Sequence, residues 1–229
     1  MNARSRTKGR PRKIRGRAEN SGRISRNKVF VAVAGNIGSG KSSLTELLSK
    51  EFGWKAYFES VEDNPYLSDF YADMSRWSFH LQVYFLSNRF RSHKAITEGP
   101  GSVILDRVIY EDAEIFARNL FEIGNMEQRD YRNYMALYEV MNEYLHPPDL
   151  LIYLRANVDT LVKQIASRGR DFEQSIRREY LEQLNGHYES WIHRYTRGPV
   201  LTVESDSLDF VNKKEDLDSI ARTIEKKLR

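Results

Sequence analysis

Gly35, Gly40, Lys41 and Ser42 stand at the spacing G-x-x-x-x-G-K-S, with a further glycine at Gly38. These residue types at this spacing hold phosphate. The glycines let successive backbone amides curl round an oligophosphate, and the first amides of a following helix add their dipole. Lys41 can reach the β- and γ-phosphates, and the Ser42 hydroxyl can sit on Mg²⁺. The run Gly35, Asn36, Ile37, Gly38, Ser39, Gly40, Lys41, Ser42, Ser43 therefore reads as a site for a nucleoside triphosphate and its metal. The bland alternative is a glycine-rich turn between two core elements, and the flanks argue against it.

Those flanks are the elements that must position the loop. The apolar run 29–34 reads as a buried strand, and Leu44, Leu47, Leu48 and Phe52 share one face of the helix that follows. A second strand spans 54–58 and ends at Glu59, which belongs on the same rim as the loop because ligands bind outside the carboxyl ends of parallel strands. Asn64-Pro65 marks a turn before a short helix near 69–74, and a longer aromatic-rich helix covers 75–96. Within it Gln82 and Arg89 lie two turns apart on one face, and spacing alone reads them as surface polar residues.

Gly99-Pro100-Gly101 precedes a third strand, 102–105, which ends in Asp106-Arg107. A carboxylate after such a strand stands where phosphate-loop proteins keep an acid near Mg²⁺. Helices over 111–121 and 128–145 follow, the second stopped by His146-Pro147-Pro148. A fourth strand covers 150–154, and a helix over 158–167 leads into Arg168-Gly169-Arg170. That basic pair reads either as a lid over the phosphates or as a helix-end charge cluster. A helix over 175–195, a fifth strand at 200–203 and a helix over 215–228 complete the pattern. Strands alternating with helices imply an α/β fold, a five-stranded parallel sheet with helices on both faces.

The net charge of +4 hides two unlike regions. Residues 1–28 hold 11 Lys or Arg and one acid, Glu19, so they carry +10 and the other 201 residues carry −6. We expect 1–27 to be a disordered basic tail, since it has too few apolar residues to offset its ordering entropy, and 28–229 to be the folded domain. The tail could touch nucleic acid or an anionic surface. The chain has no cysteine, hence neither disulfides nor thiolate metal sites, which suits a cytoplasmic protein. No apolar run approaches the roughly 18 residues of a membrane span.

The motifs together resemble the deoxyribonucleoside kinase family, over about residues 29–203. The residues that carry the resemblance are the phosphate loop, Phe58-Glu59-Ser60-Val61, Arg76-Trp77-Ser78-Phe79 with Gln82, Asp106-Arg107 and Arg168-Gly169-Arg170. Asp63-Asn64-Pro65-Tyr66-Leu67 and Ile109-Tyr110-Glu111-Asp112 make the bacterial deoxyadenosine/deoxycytidine branch the most similar. The resemblance implies a P-loop kinase fold with an Arg-rich lid that moves the γ-phosphoryl of ATP, with Mg²⁺, to a deoxyribonucleoside 5′-hydroxyl. It implies Glu59 as the base, Arg107 as the arginine holding that glutamate and steadying the phosphoryl group, and Arg168 and Arg170 as lid arginines.

Ser42 and Asp106 would stand beside Mg²⁺. Gln82, Arg89 and Asp112 would read the base, and Tyr71 and Glu173 would hold the sugar 3′-hydroxyl. A homodimer packed through helices such as 111–121 is implied as well. Ser60 departs from the proline many relatives carry after the acid, and Phe85 fills a position where other branches have smaller or more flexible side chains. A thymidylate-type nucleoside monophosphate kinase and a nucleotide-binding protein acting through its tail are the alternatives.

Overall fold

The computed structural model describes residues 28–58, 64–170, 173 and 175–229. The expected tail, 1–27, and Glu59 lie outside them. Among the described residues one sheet runs in the order β2-β3-β1-β4-β5, with every neighbouring pair parallel. The strands are β1 (Phe30–Gly35), β2 (Lys55–Tyr57), β3 (Val103–Asp106), β4 (Leu150–Arg155) and β5 (Val200–Glu204).

Because side chains alternate across a sheet, the continuous apolar run of β1 supplies two cores at once. Val31 and Val33 pack with Leu44 and Leu48 of helix α1 (Lys41–Phe52) and with Leu217, Ile220 and Ile224 of α9 (Lys214–Lys227). Phe30, Ala32 and Ala34 face the other way, into a larger core. That core is built from α3 (Met74–Glu98), α6 (Gln128–Asn142), α8 (Arg178–Arg194) and the segment after β3. The remaining helices are α2 (Leu67–Ala72), α4 (Ile109–Glu111), α5 (Arg118–Glu122) and α7 (Val158–Arg168).

Several local features depart from the sequence reading. The short helix expected to reach Met74 stops at Ala72, because Asp73 leaves helical geometry and its carboxylate caps α3 by accepting the Arg76 N–H at 3.1 Å. The regular helix expected over 111–121 contains a π-helical stretch, Asp112–Ala117, between α4 and α5. Wide turns of this kind recur at functional sites. The helix expected from residue 175 begins at Arg178.

Candidate active site

The phosphate loop joins β1 to α1, and two of its glycines are required by space and backbone alike. Gly35 has φ +154°, and a Cβ there would meet Ser39 Oγ at 2.6 Å and the Leu154 carbonyl at 2.8 Å. Gly38 has φ +83°, and its Cβ would meet the Leu161 carbonyl at 2.8 Å. Asn36 pins the loop. Its Oδ1 accepts the Ile37 N–H at 2.7 Å, while its Nδ2 donates to the Leu181 carbonyl at 3.0 Å and to Asn185 Oδ1 at 2.7 Å. The loop is thereby tied to α8. Lys41 is buried and its Nζ donates to the Asn36 carbonyl at 2.8 Å, so the ammonium lies across the loop.

Gly40 precedes α1 in left-handed geometry with no side-chain cap, which leaves the first-turn amides of Lys41, Ser42 and Ser43 to a ligand. The Ser42 hydroxyl donates to Asp106 Oδ2 at 2.5 Å, joining the loop to the end of β3. Asp106 is 5% exposed, and its other oxygen is buried without a partner among the described residues. A hydroxyl and a carboxylate oxygen beside a phosphate loop are hard donors. They fit Mg²⁺, which takes one or two carboxylates and fills its octahedron with phosphate oxygens and water.

Arg107 follows at once with φ +71°, a conformation that costs a non-glycine residue about 1 kcal/mol or more and persists only where the surroundings over-determine it. Its N–H donates to the Val33 carbonyl at 2.9 Å, and its own carbonyl accepts from Arg89 Nη1 at 3.3 Å. Its guanidinium lies 4.5 Å over the Phe116 ring and donates to the Tyr188 hydroxyl at 3.1 Å. Glu111 Oε1 is 3.6 Å away.

Glu111 is fully buried. Its Oε2 accepts the Val108 N–H at 2.8 Å, and its Oε1 accepts the Gly35 N–H at 3.2 Å and faces the Tyr188 hydroxyl at 2.7 Å. Burial first, and the Glu111 charge second, hold the Tyr188 hydroxyl far above the usual tyrosine range, so it stays protonated.

One cleft of about 920 Å³, counted to its open mouth, is lined by Lys41, Ser42, Asp106 and Arg107 on one side and by Tyr71, Gln82, Phe85, Arg89 and Asp112 on the other. Arg168, Arg170 and Glu173 also line it. Gln82 and Arg89 are thus a correction to the spacing argument: both are buried, on the inner face of α3. Arg89 Nε donates to Asp112 Oδ2 at 2.5 Å, both groups removed from water. Gln82 Oε1 is buried with no partner among the described residues. Glu173 Oε1 receives Arg168 and Arg170 at 3.3 and 3.2 Å, and its Oε2 is buried and unpartnered among the described residues.

Every described residue expected at the site except Ser43, which is exposed on the first turn of α1, either lines this cleft or belongs to the phosphate loop behind it. Sequence reasoning missed Glu111, Asn185 and Tyr188. An acid at the third position of a helix is a capping signal, so Glu111 was findable as a cap. Its second contact, to Gly35, depends on β1 and β3 being neighbours, and nothing local announces Asn185 or Tyr188.

A parallel sheet with a phosphate loop after its central strand, and an acid and an arginine ending the next, defines a P-loop kinase. The model of the deoxynucleoside kinase family matches residues 31–229, and the chain belongs to that family. It is 42% identical over 197 residues to the deoxyadenosine/deoxycytidine kinase of Bacillus subtilis, covering 85% of this chain and 91% of that one. It is 36% identical to the deoxyadenosine kinase of Lactobacillus acidophilus, covering 87% and 96%. Among solved structures, deoxyadenosine kinase from M. mycoides with bound dCTP superposes with a TM-score of 0.76 at 32% identity, covering 86% of this chain and 99% of that one. The protein is a nucleotide-binding phosphotransferase acting on a deoxynucleoside.

Proposed function

We propose that the protein transfers the γ-phosphoryl group of ATP to the 5′-hydroxyl of deoxyadenosine or deoxycytidine. The observation that carries this reading is the buried Arg89–Asp112 pair together with the Gln82 carbonyl, unpartnered among the described residues, all lining the cleft shared with the phosphate loop. Adenine and cytosine each present an exocyclic amine next to a ring-nitrogen acceptor. The Gln82 amide offers an acceptor and a donor to match. The Arg89–Asp112 pair adds a fixed donor and acceptor to the same cleft, which supports this reading. A base that leaves such buried groups unpaired is rejected by several powers of ten.

Glu59, following β2, is the base that takes the 5′-hydroxyl proton. A hydroxyl is a poor nucleophile, and a positioned base adds about 10²-fold or more. Arg107, Arg168 and Arg170 spread positive charge over the transferring phosphoryl group, whose charge stabilisation dominates such reactions. The two lid arginines already lean on Glu173, within reach of the cleft. Glu173 Oε2 and Tyr71 hold the sugar 3′-hydroxyl. Ser42 and Asp106 would hold Mg²⁺, which would supply charge neutralisation for the transferred phosphoryl group.

The kinase domain is 28–229, and the basic stretch 1–27 stands outside the catalytic unit. A cytoplasmic location and a homodimer complete the reading; exposed Leu137, Val140 and Tyr144 give a second copy an apolar surface. Initial rates for deoxyadenosine, deoxycytidine, deoxyguanosine and thymidine with MgATP test the proposal. The first two should be the best substrates; a preference for deoxyguanosine or thymidine, or no turnover of any of the four, would overturn it.

A further inference from the structure

Arg107 combines a strained backbone with a guanidinium held over Phe116 and against Tyr188. A fully buried carboxylate with no role in the transfer stands beside it. Glu111 joins three separate pieces of the site. Through Oε2 it binds Val108 N–H, the residue after Arg107; through Oε1 it binds Gly35 N–H, where β1 gives way to the phosphate loop. Oε1 also faces the Arg107 guanidinium at 3.6 Å, too long for a direct hydrogen bond.

The Tyr188 hydroxyl fills that gap. It accepts from Arg107 Nη1 at 3.1 Å and lies 2.7 Å from Glu111 Oε1 and 2.8 Å from the Gly35 carbonyl. With a single proton it donates to one of these two oxygens at a time, and either bond ties Arg107 to the start of the phosphate loop. One carboxylate and one hydroxyl thus set the distance between the loop that carries the donor phosphates and the arginine read as meeting the transferred group.

We propose that Glu111 and Tyr188 are positioning residues for phosphoryl transfer, registering the Arg107 guanidinium to the phosphate loop through Gly35. Neither residue lines the substrate cleft, so neither touches substrate. They act on rate through Arg107, where a misplacement on the order of 1 Å costs about 10²-fold. The inference rests on the reading of Arg107 given above. A role limited to packing or helix capping would lower stability and leave the turnover of the folded enzyme intact.

The experiment compares Tyr188→Phe and Glu111→Gln, each alone and combined with Arg107→Lys. Thermal unfolding establishes the folded fraction, and kcat and KM are measured for nucleoside and ATP. Tyr188→Phe keeps the ring packing and loses only the hydroxyl, so it decides the matter if Glu111→Gln does not fold. The expected result is a fall in kcat of about tenfold or more with both KM values within about threefold, and little further loss when Arg107 is already lysine. Unchanged kcat in folded Tyr188→Phe, or losses that simply multiply with that of Arg107→Lys, would overturn the proposal. If Arg107→Lys alone keeps full activity, the reading of Arg107 falls and this inference falls with it. If Arg107→Lys is crippled and Tyr188→Phe is not, only the positioning role is lost.

Discussion

Arg89 and Asp112, from α3 and the π-helical stretch after α4, meet through a 2.5 Å charge-assisted hydrogen bond with both side chains almost entirely out of water. Arg89 also donates to the carbonyl of Arg107. The side chain assigned to base reading thus touches the backbone of the one assigned to phosphoryl transfer.

The proposed function makes the pair a specificity element, against a bland alternative in which it merely braces α3. We expect the parent enzyme to favour deoxyadenosine and deoxycytidine over thymidine by about 10²-fold or more in kcat/KM. In Asp112→Ala the gap should narrow by about tenfold or more, because Arg89 without the Asp112 carboxylate no longer presents paired donor and acceptor. Identical substrate ranking in the two enzymes would make the pair scaffolding.

The Ser42–Asp106 contact predicts metal dependence. Asp106→Asn keeps the size and the hydrogen bond but removes the charge, so the Mg²⁺ concentration for half-maximal activity should rise by about tenfold or more. A titration of rate against free Mg²⁺ gives the answer. An unshifted midpoint would remove Asp106 from the metal site.

Much of this arrangement was legible because it is local. The loop glycines, the β1 apolar run and the α1 face are written within 25 residues of one another, and the Asp106-Arg107 step follows a strand directly. The burial of Gln82 and Arg89 was not, since a two-turn spacing puts residues on one helical face without saying whether that face meets water or the core. The π-helical stretch was illegible for a related reason. It begins at Asp112, whose partner comes from α3, 23 residues earlier in the chain. The contacts of Glu111 and Tyr188 with Gly35 need the β3-β1 adjacency and the packing of α8 on that rim, both tertiary facts.

Stability should fall on mild acidification through His93. This buried ring bonds the His146 carbonyl at 2.7 Å, and desolvation lowers its pKa from 6.5 to about 4 despite that bond. Between these values the unfolded chain binds the proton and the folded one does not. Stability is therefore complete above pH 6.5 and is lost as pH drops towards 4, by on the order of 1 kcal/mol per pH unit and 3 kcal/mol in all. Denaturant unfolding of the parent and His93→Gln between pH 7.5 and 5 should show the parent falling more steeply. Parallel curves would rule out this contribution.

Glu59→Gln should lower kcat by about 10²-fold or more and leave ATP affinity nearly unchanged, since a carboxamide cannot take the 5′-hydroxyl proton. Binding of ATP by equilibrium titration, beside turnover of the same preparation, separates the two effects. Near-normal turnover would remove Glu59 from the chemistry.

The proposed acceptor is a nucleoside hydroxyl and not a phosphate. With Glu59 as the proposed base, a 5′-monophosphate would bring its dianion against that carboxylate, a like-charge contact that opposes binding. The direct measurement is kcat/KM for deoxycytidine and for its 5′-monophosphate, with saturating MgATP. We predict conversion of deoxycytidine to the 5′-monophosphate, and a rate for the monophosphate lower by about 10³-fold or more. Preferential formation of the diphosphate from the monophosphate, with deoxycytidine left unreacted, would contradict the account.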